Sequence, residues 1–297
     1  MSPPVWFITA ASSGFGKEIA LNALKKGDRV IATGRSLSKL AEVKEAGAKT
    51  YALDVTSDLN TIKKIVAEAH AKYGRLDILV NSAGYILEAA IEEASPKESF
   101  DVFNTNVFGT LNVTRAVLPY MRTQRSGVIA LFGSLGSWTG GPAFGLYAGT
   151  KWACSGLAES LKPEVAPFGI DVTVIEPGYF RSGFLNPGAR ILSAERIQEY
   201  EESAVGYVRG MLQETDGKQP GDVKKGCDVI VDVLTKRGVA EGREIPLRLV
   251  LGTDCQAAIR EKLESTAKLL DDWQEIGARK FPFKFPSAVF MFRLSTD

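Results

Sequence analysis

Tyr147 and Lys151 stand four residues apart at the head of a stretch that reads as helix to about Phe168. That spacing puts the phenol and the ammonium on one helix face, one turn apart. A phenol ordinarily loses its proton near pH ~10, and a fixed cation beside it favours the phenolate. Tyr147 is therefore a candidate general acid or base, a role served best when pKa and working pH match. The plain alternative is a chance pair on an amphipathic helix, so the elements that carry the pair must decide.

Those elements alternate. Val5 to Thr9 is a short apolar run that stops at a Gly/Ser-rich loop, Ala10 to Gly16, and helical periodicity then runs to Gly27. Strands are expected at Arg29 to Thr33, Thr50 to Leu53, Leu76 to Val80, Gly127 to Phe132 and Ile170 to Ile175. Helices are expected from Ser36 to Gly47, from Ser57 to Tyr73 with Gly74 past its end, and from Ser95-Pro96 to Met121. Pro163 should kink or end the tyrosine helix, three turns past Lys151. Continuous apolar strands alternating with helices indicate an α/β chain, a doubly wound parallel sheet (a Rossmann fold) with helices on both faces. Ligands in such sheets bind beyond the carboxyl ends of the strands. The Gly/Ser loop, Asn81, Ser134 and Pro177-Gly178 all fall at those ends, and Tyr147 lies on the helix reached after the fifth strand. Packing alone does not explain that convergence.

Later segments read less regularly. Residues 179–220 mix Gly, Pro, Ser and charges with short helical pieces, the pattern of a functional lid or of disorder. A helix from Asp222 to Lys236, a strand from Glu244 to Leu251 and a helix from about Asp254 to Gly277 follow. The tail Phe281-Pro-Phe-Lys-Phe-Pro is apolar but broken by proline, which suits a segment draped on the surface or packed on a partner. No repeat or linker divides the chain, so 1–297 is read as one dinucleotide-binding and catalytic domain, with 179–220 its substrate lid and 253–297 a C-terminal extension.

Size and composition exclude several classes. A chain of 297 residues can bury a sizeable core, and a formal net charge of +1 gives no bulk attraction to nucleic acid or anionic lipid. One histidine, His70, and three scattered cysteines, Cys154, Cys227 and Cys255, offer no metal cluster and read as reduced thiols. No window approaches the ~18 apolar residues of a membrane span, and no signal peptide is apparent. The expected location is the cytoplasm.

The loop residues can hold a dinucleotide. Ser12, Ser13, Gly14, Phe15 and Gly16 follow a strand and open a helix, where backbone amides can hold a pyrophosphate and glycine allows close approach. An ordinary tight turn is the competing reading. At the end of the second strand an acidic side chain would accept from the ribose hydroxyls of NAD, but Thr33-Gly34-Arg35-Ser36 holds no acid. A guanidinium suits a phosphate monoester bidentately, so Arg35 points to the 2′-phosphate of NADP; otherwise it is a surface arginine near a helix start. Asp54-Val55 can accept from an adenine amino group or cap the next helix. The Asn81-Ser82-Ala83-Gly84 segment offers an amide and a close backbone approach beside an adenosine ribose. Ser134 can donate to a substrate carbonyl oxygen or bond its own turn.

Taken in order, the Thr9-x-x-x-x-Gly14-x-Gly16 loop, Asp54, the Asn81-x-Ala83-Gly84 segment, Asn106, Ser134, Tyr147-x-x-x-Lys151 and Pro177-Gly178 resemble the short-chain dehydrogenase/reductase family in its non-extended branch. The resemblance runs from about Val5 to Ser182. It implies a catalytic tetrad of Asn106, Ser134, Tyr147 and Lys151. In that family the tyrosine donates or accepts the proton, the lysine lowers its pKa and binds the nicotinamide ribose, the serine orients the carbonyl, and the asparagine holds a water that relays protons to the lysine. It also puts Tyr147 and Lys151 among the cofactor contacts and Phe180 and Ser182 beside the nicotinamide. Homo-oligomerisation, as dimer or tetramer, through the Asn106 and Tyr147 helices is implied as well. One departure is plain: the family's first loop glycine is Ala10 here, which costs little only if that backbone sits at negative φ.

The reaction so implied is interconversion of a ketone and a secondary alcohol with NADP(H). Aromatic and aliphatic residues of 179–220, among them Phe184, Leu185, Tyr207 and Leu212, join Trp138, Phe144 and Leu146 to suggest a largely apolar pocket for a medium-sized substrate. The competing readings are a non-redox catalyst of the same fold and a cofactor-sensing binding protein without turnover. The second would be expected to lose tetrad residues, and all four are here.

Overall fold

A computed structural model describes residues 2–278, so the Phe281 tail lies outside the described residues. Among the described residues nine strands occur: β1 Val5–Ile8, β2 Arg29–Gly34, β3 Lys49–Ala52, β4 Ile78–Asn81, β5 Ile86–Glu88, β6 Gly127–Phe132, β7 Ile170–Pro177, β8 Arg190–Leu192 and β9 Arg248–Leu251. Seven of them form one parallel sheet in the order β3-β2-β1-β4-β6-β7-β9. The order reverses direction beside β1 and β4, and that crevice is where a doubly wound sheet binds ligands.

The helices are α1 Gly14–Lys25, α2 Ala41–Glu45, α3 Leu59–Tyr73, α4 Pro96–Phe103, α5 Thr110–Gln124, α6 Gly145–Val165, α7 Gln198–Glu201, α8 Ala204–Thr215, α9 Val223–Thr235, α10 Thr253–Asp272 and α11 Gln274–Gly277. Strand alternation splits the core in two. Val5 and Phe7 of β1 pack with Val66, Val113 and Ala158 on one face, while Trp6 and Ile8 pack with Ile19, Ala20 and Ile230 on the other. Both faces of the sheet are thus covered, which is why its strands read as unbroken apolar runs.

Several boundaries differ from the sequence reading for identifiable reasons. The helix expected from Ser95 to Met121 starts with a full capping box, Ser95 with Glu98, but breaks into a wide turn of π type at Asn104–Gly109 before α5. The extra residue displaces the apolar stripe by about one position, a local slip that a pattern averaged over a long window does not register. Pro163 lies two residues before the last residue of α6, which gives way to a 3-10 turn at Ala166–Phe168. The last strand is only Arg248–Leu251, since residues 244–247 precede the paired register. The segment 179–220 contains a strand, β8, that pairs in parallel with β5 to make a separate two-stranded sheet.

The described residues divide into two compact units, the first ending at Ile259 and the second beginning at Arg260. In the second, the described residues are the rest of α10 and α11, with Leu263, Leu270 and Trp273 exposed. Among the described residues no helix is long and apolar enough to cross a membrane.

Candidate active site

The carboxyl ends of β1, β6 and β7 open onto one cleft, lined by Ala10, Ser13–Gly16, Ser82, Gly84, Ser134, Tyr147, Lys151, Pro177–Phe180 and Ser182. On α6 the Tyr147 and Lys151 side chains do share a face: Lys151 Nζ lies 5.6 Å from the Tyr147 ring centroid. Lys151 Nζ donates to the carbonyl of Phe132 at the end of β6 (2.8 Å). Both residues are buried, at 8% and 5% exposure. Burial drives the Tyr147 pKa up, against the opposing pull of its hydrogen bond with Ser134. The same burial drives the Lys151 pKa down. The cation was expected to bring the phenol down; desolvation wins instead, so the chain on its own holds Tyr147 as a neutral proton donor.

Ser134 caps the 3-10 turn Leu135–Ser137, accepting from the amide of Gly136 (3.1 Å). Its own amide donates to Ser137 Oγ (3.2 Å), and Ser137 Oγ donates to the carbonyl of Lys151 (3.0 Å). The Ser134 loop and the tyrosine helix are therefore tied together beside the reacting groups. Asn106 sits in the π turn. Its amide oxygen accepts from the Tyr85 amide (3.0 Å), and its amide nitrogen donates to the Tyr85 carbonyl (3.0 Å) and to Thr150 Oγ1 (3.0 Å). A β-carbon on Gly84 would lie 3.1 Å from Asn106 Oδ1 and 3.7 Å from Lys151 Nζ, which puts the two side chains against the same glycine. The wide turn thus aims Asn106 at the loop after β4 and at the α6 residue before Lys151.

The first loop fits a pyrophosphate. Ser13 precedes α1 without a side-chain cap bond, so the first amides of the helix keep their donors. A β-carbon on Gly16 would come within 2.8 Å of the Ala10 carbonyl oxygen and 2.5 Å of Ser82 Oγ, so only glycine permits this turn. Ala10 itself has φ +49°, in the left-handed region. The benign case of negative φ does not hold, and the loop carries the strain of a methyl where glycine would be relaxed. Ala10→Gly should stabilise the fold by about 1 kcal/mol, measured by urea midpoints; a loss of stability would refute the reading.

Other residues singled out by sequence lie around the cleft rather than in it. Ser12 is outside the lining. Asn81 is 2% exposed and donates to Thr114 Oγ1 (3.1 Å), stitching β4 to α5. Ala83 and Ser82 donate their amides to Thr9 Oγ1 (3.2 and 3.0 Å), so Thr9, which the motif reading used only as a marker, sets the shape of that loop. Asp54 accepts from the amide and hydroxyl of Thr56 (2.9 and 2.7 Å), and the following helix is capped by Asp58 instead. Val55 is buried against Gly109. Arg35 is exposed just past β2, and among the described residues it has no ion-pair partner. Phe180 packs its ring edge-on against Phe15 (5.3 Å), forming part of the cleft floor with Phe132. Asp254 holds the turn after Gly178 by accepting from the Tyr179 amide (2.7 Å).

Beyond Tyr147 the cleft is apolar. Phe184 lies 5.7 Å from the Tyr147 ring, and Phe144, Leu185 and Leu212 complete that wall. Ile191, Leu192 and Tyr207 are exposed, Leu146 packs beside Leu87, and Trp138 points away from the cleft lining. A buried ionic cluster fastens this wall. Glu93 accepts from the amides of Ala90 (2.8 Å) and Ile197 (3.0 Å) and pairs with Arg209 of α8. Glu88 of β5 meets Arg196 (3.1 Å), Arg190 (3.5 Å) and Arg209 (3.7 Å). None of these charges stood out in the sequence, because their partners are up to 121 positions apart.

A Gly/Ser loop that opens a helix, a Tyr/Lys helix and a serine turn meet at one sheet edge, and the chain belongs to the short-chain dehydrogenase family, whose match spans residues 4–189. It is 34% identical over 276 residues to "Oxidoreductase BOA17" of Botryotinia fuckeliana, covering 92% of this chain and 97% of that protein. It is 38% identical over 185 residues to a 3-ketodihydrosphingosine reductase of Bacteroides thetaiotaomicron, covering 62% of this chain and 66% of that one. The crystal structure of a short-chain dehydrogenase from Streptomyces avermitilis superposes with a TM-score of 0.84 at 38% identity, over 94% of this chain and all of that one. Further structures of this fold hold NADP or 5-hydroxy-NADP in some cases and NAD in another.

Proposed function

We propose that the protein is an NADP(H)-dependent oxidoreductase that interconverts a ketone and a secondary alcohol on a medium-sized, largely apolar substrate. The observation that carries this reading is the meeting of Ser134, Tyr147 and Lys151 with the uncapped start of α1 in one cleft. The dinucleotide, when bound, supplies or accepts the hydride. This chain's residues do the rest. The loop Ser12–Gly16 holds the pyrophosphate on backbone amides, and Pro177, Gly178, Phe180 and Ser182 border the nicotinamide. Ser134 and Tyr147 hold the substrate oxygen. In reduction Tyr147 Oη gives its proton to that oxygen, and Lys151, fed through a water at Asn106, restores it. The 179–220 segment acts as a lid whose Phe184, Leu185 and Leu212 exclude water from the reacting carbonyl.

The 38% identity to a ketone reductase supports the reaction class. Following NADPH or NADH absorbance with a panel of apolar ketones tests it; no turnover across that panel with either dinucleotide would favour the sensing role. Arg35 carries the choice of NADP over NAD, with Asp54, Val55, Asn81 and Ala83 shaping the adenosine end. Arg35→Leu should raise the NADPH Kd by about tenfold or more, the worth of one lost charged hydrogen bond, and leave that for NADH unchanged. An equal effect on both dinucleotides would remove Arg35 from the 2′-phosphate. The protein acts in the cytoplasm, where its three buried cysteines stay free, and as a homo-oligomer on a small-molecule substrate.

A further inference from the structure

Glu176 is fully buried one residue before Pro177-Gly178, and its carboxylate meets three side chains from three elements. Oε2 accepts from Trp138 Nε1 (2.8 Å), four residues after Ser134. Oε1 accepts from Ser155 Oγ (2.8 Å), one helical turn after Lys151, and from Arg248 Nη1 of β9 (2.6 Å). Arg248 in turn stacks its guanidinium 4.5 Å over the Trp138 ring and reaches Glu159 of α6 (2.7 Å). The group fills space as well as bonding. A β-carbon on Gly133 would lie 2.9 Å from Glu176 Cγ and 2.8 Å from Ser137 Oγ, so β6, β7 and the Ser134 turn are packed to contact.

A buried carboxylate without partners is strongly unfavourable, and here every oxygen is matched to a donor. Two of the three donors belong to segments that carry part of the site, Trp138 beside the turn of Ser134 and Ser155 on the helix of Tyr147 and Lys151, while the third, Arg248, comes from β9. We infer that Glu176 is a positioning residue for the reaction, the strut that sets the Ser134 turn against the tyrosine helix. This rests on the ketone-reduction reading of the site. The Ser137 bridge between the Ser134 amide and the Lys151 carbonyl joins the same two segments on the cleft side, and Glu176 joins them behind. With both in place the backbone of the Ser134 turn is held against the tyrosine helix, and the Gly136 amide holds the Ser134 hydroxyl within that turn. Burial raises the Glu176 pKa against the pull of its donors, as expected for a carboxylate kept inside for its bonds.

A double-mutant cycle on the full chain tests this. Glu176→Gln keeps the volume but turns a donor toward either the indole N–H or the Ser155 and Arg248 donors. Trp138→Phe removes the indole donor and serves if the first variant does not fold. In the wild-type background either change should lower single-turnover reduction on the order of tenfold, with NADPH Kd unchanged. In a Ser134→Ala background the same change should cost less than about twofold, because the group being positioned is gone. An equal loss in both backgrounds, or no loss beside a lowered melting temperature, would overturn the role of strut. The ketone-reduction reading fails separately, by absence of turnover in the wild type.

Discussion

Tyr147→Phe lowers kcat about a thousandfold or more, the scale of a lost proton donor with a lost oxyanion contact, and leaves NADPH affinity nearly unchanged. The variant keeps the ring that Phe184 and Lys151 pack against and loses only the hydroxyl that bonds Ser134. Stopped-flow reduction and fluorescence titration of the same preparation measure the two quantities. The wild type has a second signature. Because burial holds the phenol above its ordinary pKa, Tyr147 is protonated throughout the neutral range. Reduction needs that proton, so its rate stays flat across neutral pH and falls only toward alkaline pH. Alcohol oxidation needs the base form and rises over the same range. Retained turnover in Tyr147→Phe would show that another group moves the proton.

Arg209→Leu should cost 3–5 kcal/mol at neutral pH, the scale for breaking a buried ion pair by removing one partner. Glu93 and Glu88 are almost fully buried, and Arg209 is 4% exposed, so solvent does not take over the lost contact. Burial pushes the Glu93 pKa up, but the Ile197 and Ala90 amides together with Arg209 outweigh it and hold it below the usual carboxylate range. A depressed folded pKa stabilises the protein above the unfolded pKa, and that contribution is lost as pH falls through the folded value. Without Arg209 that advantage shrinks, so the gap between variant and wild type should narrow as Glu93 is protonated below the ordinary Glu range. Urea midpoints at neutral and acid pH give the comparison. Leu212 sits one turn after Arg209 and lines the cleft, so KM for the ketone should rise as well. Full stability in Arg209→Leu would mean that the cluster does not hold the wall.

What the sequence made legible is the part that depends on local pattern. Apolar runs such as Trp6–Ile8 and Val172–Ile175 announced buried parallel strands, and Ser95-Pro96 announced a helix start. The Tyr147/Lys151 face followed from helical spacing alone. Features set by distant partners stayed hidden. The π turn at Asn106 slips the apolar stripe by only about one position within a long helical pattern, β5 and β8 find each other across about a hundred residues, and the Asn81 amide turns inward because Thr114 is there to receive it. The sign of φ at Ala10 is fixed by the close approach of Gly16 and Ser82, and the burial of Tyr147, which reverses its expected pKa shift, comes from tertiary packing. Glu176 and Glu93 looked like any other acids until their donors were in place.

Deuterium transfer tests the central claim most directly. NADPH carrying deuterium at the transferring position of the nicotinamide is mixed with wild-type protein and a turned-over apolar ketone, and the product is analysed by mass spectrometry. The account predicts one deuterium on the carbinol carbon of the alcohol from one face of the ring, with its proton on oxygen drawn from water, and no such product from Tyr147→Phe. Product without deuterium at that carbon from either labelled face would contradict it.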